Sequence, residues 1–439
     1  MSDNLIKRSI MLRMVLIGVL TIVLLVPTAL IIGLVNERES TRNSAVAEVS
    51  SMWGNAQTIA GPVLTIPYVV NHYDVDRKLV STSIEMAHFL PESLVISATL
   101  EPEIRHRGMY EVVLYSSRVR IEGRFPAPDF SLLGFTPDEV QWNNAFLTLG
   151  ITDLKGVKEG ITINFNDKEL LADAGVNADG VLTSGINVHP AITKGTGQYQ
   201  FSATLALNGS DGLMFVPVGK ETHVRASAPW GNPSFTGNTL PVSRVLEEGS
   251  FNADWKVLHL NRNFPQQWTN QKYHIEESAF GVRLRLPVDE YQKTTRAAKY
   301  AIMFIAFTFL AFFMTEILNR NAIHPIQYAL IGFALILFYV LLLSLSEQMA
   351  FNAAYLISGA AIIGLVGAYT RSVLASTPAA LAISGIMTLL YGFMYVILQL
   401  EDYALLIGSV GLFAILALVM YLTRRIDWFA IGTRAENAM

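Results

Sequence analysis

Six ionisable residues stand at the ends of long apolar runs: Arg296, Lys299, Glu316, Glu347, Glu401 and Asp402. Charged groups at that depth are costly unless paired or hydrated. They either line an ion or proton path or form a ring of interface anchors. All lie near helix ends, and mid-run positions hold only weakly polar groups such as Thr308 and Ser384, which favours anchoring. A transporter is expected to place charge or a helix break near the middle of its spans. A second group is the loop-like run Ala228 to Gly237, with Trp230 and Phe235. Their rings suit contact with a ligand or partner, and equally suit plugging the end of a β core.

Other chemistry is sparse. The chain has no cysteine, which excludes disulfides, thiolate metal sites, iron–sulfur clusters and cysteine nucleophiles. No two of the eight histidines lie three or four residues apart, so there is no helical metal pair. Gly219-Lys220-Glu221-Thr222 lacks the upstream glycine spacing of a phosphate loop. Asn208-Gly209-Ser210-Asp211-Gly212 reads as a hairpin turn rather than a nucleophile elbow. Glu247-Glu248 and Glu276-Glu277 are adjacent in sequence and read as solvated acids, not as a convergent hydrolase pair. With 32 basic against 36 acidic residues, the net charge of −4 gives no footprint for nucleic acid. No catalytic residue, cofactor or metal is expected.

The elements that position these residues are legible from hydropathy. The 439 residues are 51% hydrophobic and 15% charged, with a mean hydropathy of +0.38. Part of the chain therefore belongs in lipid, and disorder is ruled out. Residues 14–35 are uncharged and long enough to span a bilayer, and they read as an uncleaved signal anchor in which Pro27 is a candidate kink. Five further apolar helices are expected within 299–423, at about 300–317, 325–345, 350–369, 378–398 and 403–423. Pro325 and Ser376-Thr377-Pro378 supply helix starts. In the fourth of the six helices, Ala360, Gly364 and Ala368 recur every four residues and are expected to form a packing face.

Loop charge gives the orientation. With residues 1–13 in the cytoplasm, the inside set is Lys7, Arg8, Arg13, Arg320, Arg371, Arg424, Arg425 and Arg434. The short outside loops, 346–349 and 399–402, hold no Lys or Arg. Residues 424–439 are then a cytoplasmic tail and residues 36–298 are periplasmic.

That exported segment changes pattern. Val63 to Val69, Leu79 to Met86, Leu94 to Leu100, Tyr110 to Ile121 and Tyr199 to Leu207 read as strands, the last with clean alternation. Asn208-Gly209, Asp211-Gly212, Asp179-Gly180 and Gly195-Thr196-Gly197 read as turns. A helix over 37–60 joins the anchor to the first strand, and 168–174 is the only other helix-like stretch. The expected fold class is a multi-pass α-helical membrane protein with a large exported all-β domain, an antiparallel sandwich.

Several runs resemble one family. They are Glu37-Arg38 with Arg42, Trp53-Gly54 with Gln57-Thr58 and Gly61-Pro62, Leu207 to Ser210, and Pro217-Val218-Gly219. Further runs are Trp230-Gly231 with Pro233-Ser234-Phe235 and Gly237, Arg296-Ala297 with Lys299-Tyr300, Pro325 to Tyr328, Leu342 to Glu347, and Gln399 with Glu401 to Leu406. With these runs the chain resembles the CreD family of inner-membrane proteins linked to cell envelope integrity. The resemblance implies a bacterial envelope-stress protein tied to a two-component system and to responses to β-lactams and colicins. It implies no catalytic residues. The expected partners are the lipid bilayer and an envelope glycan, lipid or protein. A transporter or channel built from the six helices is the alternative.

Overall fold

The computed structural model describes residues 10–133, 139–176, 181–193, 197–269, 273–286, 290–319, 323–400 and 403–424. The chain divides into two units, Met1–Arg42 with Val288–Met439, and Asn43–Pro287.

The first unit is helical: α1 (Ile10–Val23), α2 (Leu25–Trp53) up to Arg42, α3 (Glu290–Lys299), α4 (Ala301–Asn319), α5 (Pro325–Ser346), α6 (Phe351–Leu374), α7 (Thr377–Gln399) and α8 (Ala404–Thr423). The break between α1 and α2 falls at Leu24. Pro27 accounts for it, because it has no N–H to give Val23 and its ring crowds that carbonyl. Helical bonding continues on both sides, with Leu24 N donating to Leu20 O at 3.0 Å and Thr28 N to Leu24 O at 3.4 Å.

Four stretches of the described residues are long and apolar enough to cross a membrane: Leu12–Trp53, Pro325–Ser346, Phe351–Leu374 and Thr377–Gln399. A fifth arises if Tyr291–Lys299 and Ala301–Ile317, bent by 45°, count as one span. Leu406–Tyr421 is apolar but shorter. Among the described residues, four or five stretches thus meet this measure, against the six expected.

The packed face of α6 differs from the expected one. Ala354, Ser358, Ile362, Val366 and Thr370 are buried, whereas Ala360, Gly364 and Ala368 are exposed. A Cβ on Gly364 would meet nothing within 4 Å, while one on Gly367 would run into Ser384 Oγ. The helix is apolar all round, so small-residue spacing alone did not identify its inner side.

The helix expected over 37–60 stops at Trp53. Gly54 adopts φ +137°, and a Cβ there would lie 2.7 Å from Asn208 O. Residues 57–60 instead open the strand Gln57–Tyr73. Gln57 is fully buried and ties this corner: its Nε2 donates to Asp153 O at 2.9 Å and to Asn208 O at 3.2 Å.

The second unit holds two sheets. The ten-stranded sheet runs Pro233–Gly237, Phe280–Leu284, Gly212–Val216, Gln57–Tyr73, Phe146–Ile151, Gly185–Val188, Asp173–Ala174, with three further strands branching from Gln57–Tyr73 and Leu79–Phe89. The eight-stranded sheet runs Ser243–Glu247, Ser250–Leu258, Glu221–Ala228, Ser93–Arg107, Tyr110–Phe125, Tyr199–Ser210, Thr162–Phe165, Lys168–Leu171. The pairing is mixed rather than antiparallel throughout. Gln57–Tyr73 runs parallel to Gly212–Val216, and Ser93–Arg107 parallel to Glu221–Ala228.

Crossings between the sheets explain this. Asn208-Gly209 is not a turn but lies inside Tyr199–Ser210. The chain turns at Asp211, with φ +60°, and enters the other sheet at Gly212. The stretch 168–174 is strand, not helix. Asn166 and Asp167, both at positive φ, make a two-residue hairpin that pairs Phe165 with Lys168. Asp179-Gly180 and Gly195-Thr196 lie outside the described residues.

Both sheets feed one apolar cluster, with Tyr115, Tyr199, Phe215, Phe251, Trp255 and Phe280 all nearly inaccessible. Their other faces differ. Gln57–Tyr73 is buried continuously from Ile59 to Tyr68, and Phe146–Ile151 and Gly185–Val188 are buried throughout, so the centre of the ten-stranded sheet is covered on both faces. Ser93–Arg107, Glu221–Ala228 and Ser250–Leu258 alternate buried and open, which leaves the eight-stranded sheet one face in solvent.

Candidate functional site

Strand register arranges the open face of the eight-stranded sheet in rows. Ser243, Asp254, Arg225, Ser97, Arg120 and Thr204 stand opposite one another across six strands. The neighbouring row is Lys256, His223, Val95, Glu122, Ser202, Asn164 and Glu169. Side chains two residues apart on a strand share a face, which is why small polar residues and arginines line up here. The charges are largely paired. Arg225 Nε meets Asp254 Oδ1 at 2.8 Å, Arg120 pairs with Glu122, and Lys256 Nζ meets Glu221 Oε1 at 2.7 Å. Lys256 and His223 together hold the Glu221 carboxyl below its ordinary range. Two open clefts lie on this face. One is bordered by Arg120, Thr162, Asn164, Glu169, Ser202 and Thr204, the other by Ser97, His223, Arg225, Asp254 and Lys256. Such a surface offers donors and acceptors at regular spacing.

The covered sheet holds its polar groups differently. His88 is buried, its Nδ1 lies 3.0 Å from Thr65 Oγ1, and its ring is 5.3 Å from that of Trp268. Burial pushes its pKa down to about 4, so it is neutral at ordinary pH. Arg262 is also buried, and desolvation lowers its pKa to about 10. Its guanidinium donates to Val218 O at 3.2 Å, to Phe264 O and to Gln266 Oε1, pinning the strand crossing at 217–219.

Trp230 and Phe235 rest on the apolar cluster. Phe235 lies in the strand Pro233–Gly237 rather than in a loop, edge-on to Phe251 and Trp255 at 5.8 and 5.7 Å. Trp230 Nε1 donates to Arg285 O at 3.2 Å.

In the helical unit, the two ends of α5 each bear a carboxylate cluster. At its start, Tyr328 donates to Glu316 at 2.9 Å, and Arg13 of α1 pairs with the same carboxylate, which is 3% exposed. At its end, Glu347 accepts from Tyr291 at 3.3 Å and lies 3.8 Å from Arg38 Nε. Arg42 stacks over the Tyr291 ring at 5.3 Å. Nearby, Lys293 Nζ donates to Gln399 Oε1 at 3.1 Å, and Gln399 Nε2 to Asn352 Oδ1 at 2.6 Å. Glu347 thus takes Arg38 and Tyr291 as its partners, not Arg296 or Lys299. Glu401 and Asp402 lie outside the described residues. Arg13, Arg38, Tyr291 and Tyr328 were missed as partners. The available signal was that Arg13 and Tyr328 fall at the same expected inner membrane edge as Glu316, and Arg38 at the same expected outer edge as Glu347.

Among the described residues, no group of three or more His, Cys, Asp or Glu could hold a metal ion.

Apolar helices before and after a two-sheet unit in the chain define a multi-span membrane protein with a large mixed-sheet domain. The family model for inner membrane protein CreD matches residues 9–429. Inner membrane protein CreD of Escherichia coli (strain K12) is 32% identical over 421 residues, which cover 94% of this chain and 92% of that protein. The chain belongs to the CreD family of inner membrane proteins. Among solved structures, Legionella pneumophila aminopeptidase A in complex with aspartic acid aligns with 43% of this chain and 21% of that one, at 10% identity and a TM-score of 0.17. That likeness is too small to bear on fold or activity.

Proposed function

We propose that this chain supports cell envelope integrity from the inner membrane without catalysing a reaction, by binding an envelope component through the open face of its eight-stranded sheet. In this reading, six helices cross the membrane, both termini are cytoplasmic, and residues 36–298 form a periplasmic sandwich-like domain under envelope-stress control. The loop charge count supports the orientation. The observation that carries the binding role is the uncovered face itself, with hydroxyl and guanidinium groups in register across six strands and an amide, Asn164, in the neighbouring row. A glycan presents matching hydroxyl and amide groups, so isolated peptidoglycan is the first ligand to try. Full-length protein in detergent should sediment with sacculi, and Ser202→Trp with Thr204→Trp should abolish sedimentation without lowering Tm. Undiminished sedimentation of that variant would refute the assignment to this face.

One observation favours a transporter or channel as a second reading: Glu316 is ionisable and almost fully buried in the helical unit. Solute or proton flux in proteoliposomes that is lost in Glu316→Gln would support it.

A further inference from the structure

Helix α3 is amphipathic. Tyr291, Thr294, Ala297 and Ala298 are buried on one face, which packs against α5 and α7. Its other side carries cations. Lys293 is engaged with Gln399. Arg296 is half-buried and Lys299 exposed, one helical turn apart, and neither has a carboxylate partner among the described residues. The chain then bends by 45° into apolar α4, whose first turns expose Ile302 and Ala306. The bend therefore marks the level where the chain passes from the polar interface into hydrocarbon. Lys and Arg at that level rest their stems on apolar surface and carry the charge out to lipid phosphates. On one helical face, residues three apart have Cβ atoms about 5–6 Å apart, so both heads can reach a single phosphate.

We infer that Arg296 and Lys299 form a binding site for the phosphate of an anionic phospholipid, with an acyl chain lying along Ile302 and Ala306 of α4. The site does not depend on which side of the membrane it faces. It also gives these two cations a partner that Glu316 and Glu347, the helix-end acids among the described residues, do not supply.

The test compares full-length protein in nanodiscs of phosphatidylcholine alone and with added phosphatidylglycerol. Wild type should gain Tm with phosphatidylglycerol. Arg296→Gln with Lys299→Gln should lose most of that gain, with affinity falling about fivefold per charge removed. Arg296→Lys with Lys299→Arg should keep the gain, as should Arg244→Gln in the sheet unit. If the double glutamine variant does not fold, Lys299→Gln alone carries the test with a smaller loss. A glutamine variant that keeps the whole gain overturns the inference. So does an equal gain from soluble glycerol 3-phosphate in phosphatidylcholine discs, which would make the site one for free phosphate.

Discussion

The two sheets share one apolar cluster but treat their second faces in opposite ways. The ten-stranded sheet is covered on both sides at its centre, and its polar groups there, such as Thr65 with His88 and Thr148 with Asn187, satisfy each other. The eight-stranded sheet leaves its second face open, and its arginines and hydroxyls look outward. Covered polar groups are tied to stability, because an unmade bond there costs the full desolvation of its partner. Open ones contribute little to folding and are free for recognition. The same contrast recurs at the ends of α5, where Glu316 is enclosed and the Glu347–Arg38 pair is long and half open.

The sharpest break in that contrast is expected at the helix ends. Arg13→Met leaves Glu316 with Tyr328 alone and should cost roughly 3–5 kcal/mol. Arg38→Met should cost about 0–1 kcal/mol. Detergent melting compares them, and equal losses would mean that the two ends are alike.

In the sheets, the test uses neighbouring residues. Val63 and Leu64 point to opposite faces of one strand, and both are fully buried. Leu64→Ala should cost about 2–5 kcal/mol, and Val63→Ala should be clearly destabilising too. In Tyr110–Phe125, Ile121→Ala should cost a similar amount, but Arg120→Ala should stay within about 0.5 kcal/mol. A large loss for Arg120→Ala would show that the open face is needed for folding.

The pH dependence separates the faces further. His88 titrates near 4 when folded and near its ordinary 6.5 when unfolded. The unfolded chain therefore takes up the proton first as pH falls. The contribution of His88 to stability is complete above 6.5, is lost progressively down to about 4 and then levels off. The total is on the order of 3 kcal/mol. Urea unfolding at pH 7 and pH 4.5 should show a slope that His88→Gln reduces. An unchanged slope would contradict a buried neutral imidazole.

Smaller effects are expected on α6. Gly367→Leu should cost about 1–3 kcal/mol by overpacking against Ser384. Gly364→Leu should leave the melting temperature almost unchanged, since the added side chain enters open space.

The sequence exposes features that repeat locally and hides those set by distant partners. Tyr199, Phe201, Ala203, Leu205 and Leu207 alternate with polar neighbours, and all five are buried as that period requires. The parallel pairing of Gln57–Tyr73 with Gly212–Val216 has no local signature, because it follows from a sheet crossing at Asp211. Glu316 stood out as a charge at a helix end. Its partner Arg13 lies about 300 residues away and carried only a topological meaning in the sequence. On α6, apolar residues on every side left no inner face to read, so Ala360, Gly364 and Ala368 were assigned to packing although they are exposed.

In the proposed function, the open sheet face meets the envelope from the periplasmic side. The chain has no cysteine, so Thr204→Cys places a single thiol on that face. The measurement is its rate of reaction with a membrane-impermeant maleimide, in spheroplasts and in cells with a permeabilised outer membrane but an intact wall. Labelling should be rapid in spheroplasts and markedly slowed when the wall is present. No labelling in spheroplasts would contradict the orientation, and equal rates in both would contradict binding through this face.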